Sequence, residues 1–211
     1  MTEVISDLES LGDFPEASDA AWASINTPLS PEDLLDFCLG DIERLFRINP
    51  YLEFEDWKNL GDNRFACSGK NNSQDQPFRF DLKLDVEELT DGLRVRYTGG
   101  VKLDTLFKIE RSAFGSKLII QEQYLSLDPE QMQLKLAEVD RSLATWAGDI
   151  QKYLVMWKQW RWFAPWRWYM RMVWKPMKPA GRRITYMFWW ITLVEILLIM
   201  LGVIIYWVEY R

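Results

Sequence analysis

The sequence predicts an α+β protein: a curved antiparallel sheet of about seven strands wrapped on a long C-terminal helix, with two short helices after the first strand and one transmembrane helix at the end. Three observations predict it. Between Tyr51 and Leu125, apolar residues recur at every second position and turn signals separate the runs. From Asp128 to Trp157 the period changes to that of an amphipathic helix. Last, Ile184–Val208 reads ITYMFWWITLVEILLIMLGVIIYWV, 25 residues with Glu195 as the one formal charge. A bilayer's hydrocarbon core is crossed by roughly 20 apolar helical residues, so this stretch is long enough to span it with some tilt.

Residues 1–19 are acidic and poor in aromatics, and read as a poorly ordered leader. Ala20–Thr27 alternates and ends before Pro28, which predicts a strand. Ser30-Pro31-Glu32-Asp33 is a helix start: a hydroxyl to cap, a proline at the first helical position, and acids in the first turn. Gly40 breaks that helix, and Asp41 caps a second one over Ile42–Ile48. Strands follow at Tyr51–Lys58 and Arg64–Lys70, then a polar turn at Asn71–Gln76. Phe78, Phe80, Leu82, Leu84 and Val86 alternate with charged residues on the next strand. Thr90-Asp91-Gly92 turns it, Leu93, Val95 and Tyr97 continue the pattern, and Leu103–Ser112 and Lys117–Leu125 complete the sheet. Asp128-Pro129-Glu130 opens the long helix, whose apolar face carries Leu134, Leu136, Val139, Leu143, Trp146, Ile150, Leu154 and Trp157, with no breaker before Pro165.

Composition removes several classes of function. There is no histidine, which excludes Ser-His-Asp and Cys-His nucleophile pairs and His-ligated metal sites. Cys38 and Cys67 form no CxxC, so neither a disulfide framework nor a zinc site is indicated. No metal or cofactor is expected. The net charge of −6 hides a division. Residues 1–149 hold 15 Lys/Arg against 29 Asp/Glu, a net of −14, and residues 150–183 carry +9. Those nine cations lie immediately before the apolar stretch, which marks its cytoplasmic flank. The soluble domain is therefore expected on the cytoplasmic side of a single-pass membrane protein.

The cations are interleaved with indoles. Trp157, Trp160, Trp162, Trp166, Trp168 and Trp174 alternate with Arg161, Arg167, Arg171, Lys175, Arg182 and Arg183. Trp favours the membrane interface, and Arg and Lys reach for lipid phosphates, so residues 161–183 are expected to lie flat on anionic head groups. Aromatic-plus-basic stretches also suit single-stranded nucleic acid, but adjacency to the apolar stretch argues against it and no nucleic acid is expected. Within the apolar stretch, Thr185, Phe188, Thr192, Glu195, Ile199, Gly202, Tyr206 and Glu209 form a seam of smaller and more polar residues. Such seams favour helix–helix contact in lipid, which points to self-association or a membrane-protein partner through Thr192, Glu195 and Gly202.

The element order, and above all INTPLSPEDLLDFCLGDIERLFRINPYLEFEDW at residues 25–57, resembles the START-like (SRPBCC) superfamily, which includes polyketide cyclases and lipid-transfer domains. The closing pattern LFKIERSAFGSKLIIQEQYLSL followed by an amphipathic helix is similar to it as well. The likeness covers about residues 20–160, with the C-terminal anchor an addition to the usual plan. It implies a helix-grip fold and an apolar ligand held between sheet and long helix. The cavity candidates are Phe78, Phe80, Leu82, Leu84, Leu93, Val95, Tyr97, Phe107, Ile109, Leu118 and Ile120, with Arg111, Glu122 and Tyr124 as inward polar groups. Three functions are compatible: a membrane-anchored domain binding a lipid, quinone or polyketide-like molecule; a non-catalytic accessory subunit of a membrane complex; and a cyclase or dehydratase of aromatic intermediates.

Overall fold

The period-two runs pair as successive hairpins in the computed structural model, which describes residues 20–124 and 142–210. The strands are β1 (Ala20–Thr27), β2 (Leu52–Gly61), β3 (Arg64–Asn71), β4 (Phe78–Leu89), β5 (Gly92–Thr98), β6 (Lys102–Ser112) and β7 (Gly115–Tyr124). They form one antiparallel sheet in the order β1-β7-β6-β5-β4-β3-β2. The registers Leu84↔Tyr97, Phe107↔Ile120 and Ile109↔Leu118 put large apolar residues on one face. Asp62 and Asn63, with φ of 51° and 56°, make the two-residue β2–β3 turn in the left-handed geometry that suits strand twist.

The two short helices form where their caps dictate. α1 (Pro31–Gly40) starts where the Ser30 hydroxyl accepts from the Asp33 N–H at 3.1 Å. α2 (Ile42–Arg47) starts where the Asp41 carboxylate accepts from the Arg44 N–H at 3.0 Å. Both lie in the connection between the two edge strands, and they bury Leu34, Phe37, Cys38, Leu45 and Phe46. α3 (Leu143–Trp160) lies in the grip of the sheet with Trp146, Ile150 and Leu154 inward. The leader at residues 1–19 and the expected helix start at Asp128, with Leu134, Leu136 and Val139, lie outside the described residues.

After α3 the chain departs from its expected course. The helix ends at Trp160, and Pro165 opens α4 (Ala164–Tyr169), which runs into a π-helical turn at Met170–Trp174. This stretch folds back on the domain. Trp166 meets Trp157 at 5.6 Å between ring centroids, Trp174 meets Tyr153 at 5.1 Å, and Met170 is buried. α5 (Pro179–Glu209) then begins five residues before the expected apolar boundary. None of its residues is buried, and by length and composition it is able to cross a bilayer.

The root of α5 is bolted to the domain. Lys175 reaches Asp41 at 3.0 Å and Glu43 at 2.8 Å. Lys178 reaches Glu53 at 2.6 Å. The Arg182 guanidinium lies 3.8 Å above the Trp174 ring and donates to the carbonyls of Arg47, Trp174 and Lys175. Residues 161–183 are thus not a uniform lipid-facing strip. Trp157, Trp166, Trp174, Lys175 and Arg182 pack or pair within the domain, and half-exposed Arg161 pairs with Asp33 at 3.5 Å, while Trp160, Trp162, Trp168, Arg167, Arg171 and Arg183 are exposed. Helical spacing explains the split: a residue every third or fourth position faces inward once the segment has a surface to pack on.

Candidate functional site: a cavity at one end of the sheet

Strand alternation aims one face of the sheet at α3, and how deep each residue sits depends on where helix side chains fill the groove. A cavity of about 260 Å³ remains at the end where β2, β4 and β6 begin and β3, β5 and β7 end. Phe78, Phe80 and Leu82 of β4 form one wall. Leu52 and Phe54 of β2 form the next, with Phe80 edge-on to Phe54 at 5.6 Å. Phe46 and Trp146 close the inner end. The Trp146 Nε1 donates to the Leu45 carbonyl at 3.0 Å, which fixes the ring between Phe46 and Phe107. Gly99 and Gly100 form the rim, and a Cβ at Gly100 would stand 2.8 Å from Leu82 Cδ2.

The cavity has a polar corner. Glu122 is 0 % exposed, and its carboxylate is met by the Lys102 ammonium and by the Tyr124 hydroxyl, each at 2.6 Å. Lys102 lies 5.6 Å from the Tyr97 ring and 5.9 Å from the Tyr124 ring, so two aromatic faces support the cation. The Tyr97 hydroxyl is bonded to Thr105 Oγ1 at 2.8 Å. Lys102, Tyr97 and Tyr124 all line the cavity.

Of the candidates read from sequence, Phe78, Phe80, Leu82, Leu84, Tyr97 and Tyr124 line this space, and Glu122 stands behind Tyr124 and Lys102. Leu93, Val95, Phe107, Leu118 and Ile120 lie on the same face but are fully buried in solid core, with Ile109 beside them. Here Ile150, Leu154 and Leu34 complete the packed core, and strand alternation carries no information about that depth. Arg111 does not turn inward: its side chain is 85 % exposed at the end of β6 and pairs with Glu32 at 3.3 Å. Phe46, Leu52, Phe54, Lys102 and Trp146 were missed as lining residues. Their signal is placement at element ends, where a wide groove is left unfilled, and this depends on tertiary packing.

Thr192, Glu195 and Gly202 lie on the exposed surface of α5. Among the described residues no group of His, Cys, Asp and Glu is arranged to hold a metal ion. Burial pushes the thiols of Cys38 and Cys67 up to about 12, and burial likewise pushes the Tyr153 phenol up to about 12. All three fold in the neutral form. Their contribution to stability is complete below their ordinary ionisation range and is lost as pH rises toward 12. At pH 8 the folded protein should therefore react with a thiol reagent at neither cysteine, and at both after denaturation. A fast-reacting thiol in the folded state would contradict this burial.

No protein-family model matches the chain, and no curated protein sequence matches it. Among solved structures, it is similar to a protein from Thermus thermophilus at 13 % identity and a TM-score of 0.49, over 65 % of this chain and 98 % of that one. It is similar to a norcoclaurine synthase point mutant from Thalictrum at 12 % identity and 0.49, over 69 % and 99 %. A STAR-related lipid transfer protein fragment from Xanthomonas axonopodis gives 11 % and 0.43, over 64 % and 85 %. Independently of these, the strand order, the two short helices between the edge strands and the long helix in the sheet's grip make the fold an α+β helix-grip.

Proposed function

We propose that the chain is a membrane-anchored helix-grip domain that holds a small hydrophobic molecule at the cytoplasmic surface of a bilayer. The observation that carries this reading is the position of the cavity beside the root of α5. Phe54 lines the cavity, its neighbour Glu53 pairs with Lys178, and Arg47, which lies 5.5 Å above the Phe54 ring, accepts from Arg182 through its carbonyl. A molecule leaving the bilayer along α5 would have a short path to the mouth. The volume of about 260 Å³ falls just below the ~300–1,000 Å³ of typical ligand pockets, which favours one chain or a small ring system over a two-chain lipid buried whole.

In this arrangement α5 spans the membrane. Exposed Trp160, Trp162 and Trp168 with Arg167, Arg171 and Arg183 would contact anionic head groups, each cation contributing about 1 kcal/mol. Lys175 and Arg182 instead hold the domain at a set angle to the helix. Thr192, Glu195 and Gly202 offer a seam to a second membrane helix. Phe80 is the residue with which to test the cavity, because it lines the space and is only half-buried. Val95 is unsuitable, since Trp there would overpack solid core. Mass spectrometry of small molecules extracted with the full-length protein should find one hydrophobic species near unit stoichiometry, and Phe80→Trp should remove it. Recovery of nothing from wild type, with a membrane partner bound in stoichiometric amount, would favour an accessory-subunit role.

A second reading has its own observation. Glu122, Tyr124 and Lys102 are acid–base groups beside an apolar cavity, the arrangement a cyclase or dehydratase of aromatic intermediates would use. Recovery of two bound species related by loss of water or ring closure would favour it.

A further inference from the structure

We infer that α5 makes the cavity responsive to bilayer thickness: its root holds two of the cavity's walls, so the angle at which it crosses the membrane sets how those walls stand. This rests on the membrane-anchored, ligand-binding reading above. α5 is one helix from Pro179 to Glu209, and it starts before the apolar stretch does. Arg182, in its first turn, therefore belongs to the same rod that enters the lipid. The Arg182 guanidinium donates to the carbonyls of Arg47, Trp174 and Lys175. The root is also tightly packed, because a Cβ at Gly181 would stand 2.9 Å from Met177 Cγ. The domain thus meets the span through helix and side-chain bonds rather than through a slack linker.

The bonds of the root end one residue away from the cavity. Arg47 follows Phe46, and Glu53, the partner of Lys178 at 2.6 Å, sits between Leu52 and Phe54. Phe46, Leu52 and Phe54 line the cavity. The Arg47 guanidinium lies 5.5 Å from the centre of the Phe54 ring, which joins the end of α2 to the start of β2. β2 is the strand best placed to respond. It is an edge of the sheet, paired with β3, and its register shifts between Phe54 and Asp56, so its first residues can bend apart from the rest. The drive is a mismatch of length. The 25 residues of Ile184–Val208 make about 37 Å of helix, against a hydrocarbon core of ~30 Å. A helix longer than the core tilts, and it stands more upright in a thicker bilayer. Because the rod is bonded at its root, a change of tilt turns the Arg182 and Lys178 contacts against α2 and β2.

The test uses the full-length protein in nanodiscs of either short-chain (dimyristoleoyl) or long-chain (dierucoyl) phosphatidylcholine. Two quantities are read: hydrogen exchange of the amides from Phe46 to Phe54, and binding of 2-naphthol, with Phe80→Trp in the same nanodiscs to subtract partition into lipid. Between the thin and the thick bilayer, wild type should change in both by about threefold or more, within the energy that hydrophobic mismatch supplies. Amides of Phe107 and Ile120, in the solid core, should exchange alike in the two. The informative variant carries a flexible Gly/Ser insertion of about ten residues after Arg183. It keeps the span and every bond of the root, and it should give the same values in both bilayers. Equal values for wild type in the two bilayers, or a difference that survives the insertion, would overturn the coupling and leave the ligand-binding reading standing. No 2-naphthol binding beyond that of Phe80→Trp, or a full-length chain that stays out of the nanodiscs, would overturn the reading above and this inference with it.

Discussion

A chain stopped at Arg183 should be recovered entirely from the aqueous phase, while the full-length chain should sediment with membranes and require detergent for release. The size of the effect follows from α5. Each large apolar side chain moved out of water contributes about 1.5–3 kcal/mol, and Ile184–Val208 is almost wholly such residues, every one of them unpacked against the domain. Even with a penalty of about 2.5–3.5 kcal/mol for Glu195 at mid-membrane, the balance is tens of kcal/mol in favour of lipid. Stopping after Arg183 keeps Lys175, Lys178 and Arg182, so the ties to Asp41, Glu43, Glu53 and Arg47 survive and the domain should stay folded. Fractionation with far-UV circular dichroism of the soluble form checks both halves. A truncated chain that still partitions fully into membranes would show that the exposed Trp and Arg residues suffice without α5.

The second large effect is on stability. Trp146→Ala should lower the unfolding free energy of the domain by about 3–5 kcal/mol, the usual range for loss of a fully buried Trp. The ring is 1 % exposed, packs against Phe46 at 5.4 Å and edge-on to Phe107 at 5.6 Å, and donates to the Leu45 carbonyl. Its removal would empty the inner end of the cavity and leave that carbonyl without its donor. Denaturant titration of the chain stopped at Arg183, with and without the substitution, measures it. A loss under about 1 kcal/mol would mean that α3 does not close the groove there.

Local periodicity carries the strands and caps, and contacts between distant elements carry the rest. The strands and their faces were legible, because a period of two admits one register per hairpin once a face is buried: Phe78, Phe80 and Leu82 fell where alternation put them. The short helices were legible from Ser30, Pro31 and Asp41, whose side chains cap as their chemistry requires. Glu122 and Tyr124 were legible as inward residues for the same reason as their apolar neighbours. What stayed hidden depends on elements far apart in sequence. Lys102 becomes part of the site only because β6 brings it beside Glu122, 20 residues later. Trp146 closes the cavity through contact with Leu45, 101 residues earlier. Trp166, Trp174, Lys175 and Arg182 looked like lipid-facing residues, because composition alone does not distinguish an indole at an interface from one packed on Trp157 or Tyr153.

The most direct measurement is an experimental structure of the full-length protein purified from its own membranes without exchange of bound molecules. Non-protein density should fill the space between Phe80, Tyr97 and Trp146. A space closed by the protein's own side chains, or holding only ordered water, would contradict a ligand-binding helix-grip domain.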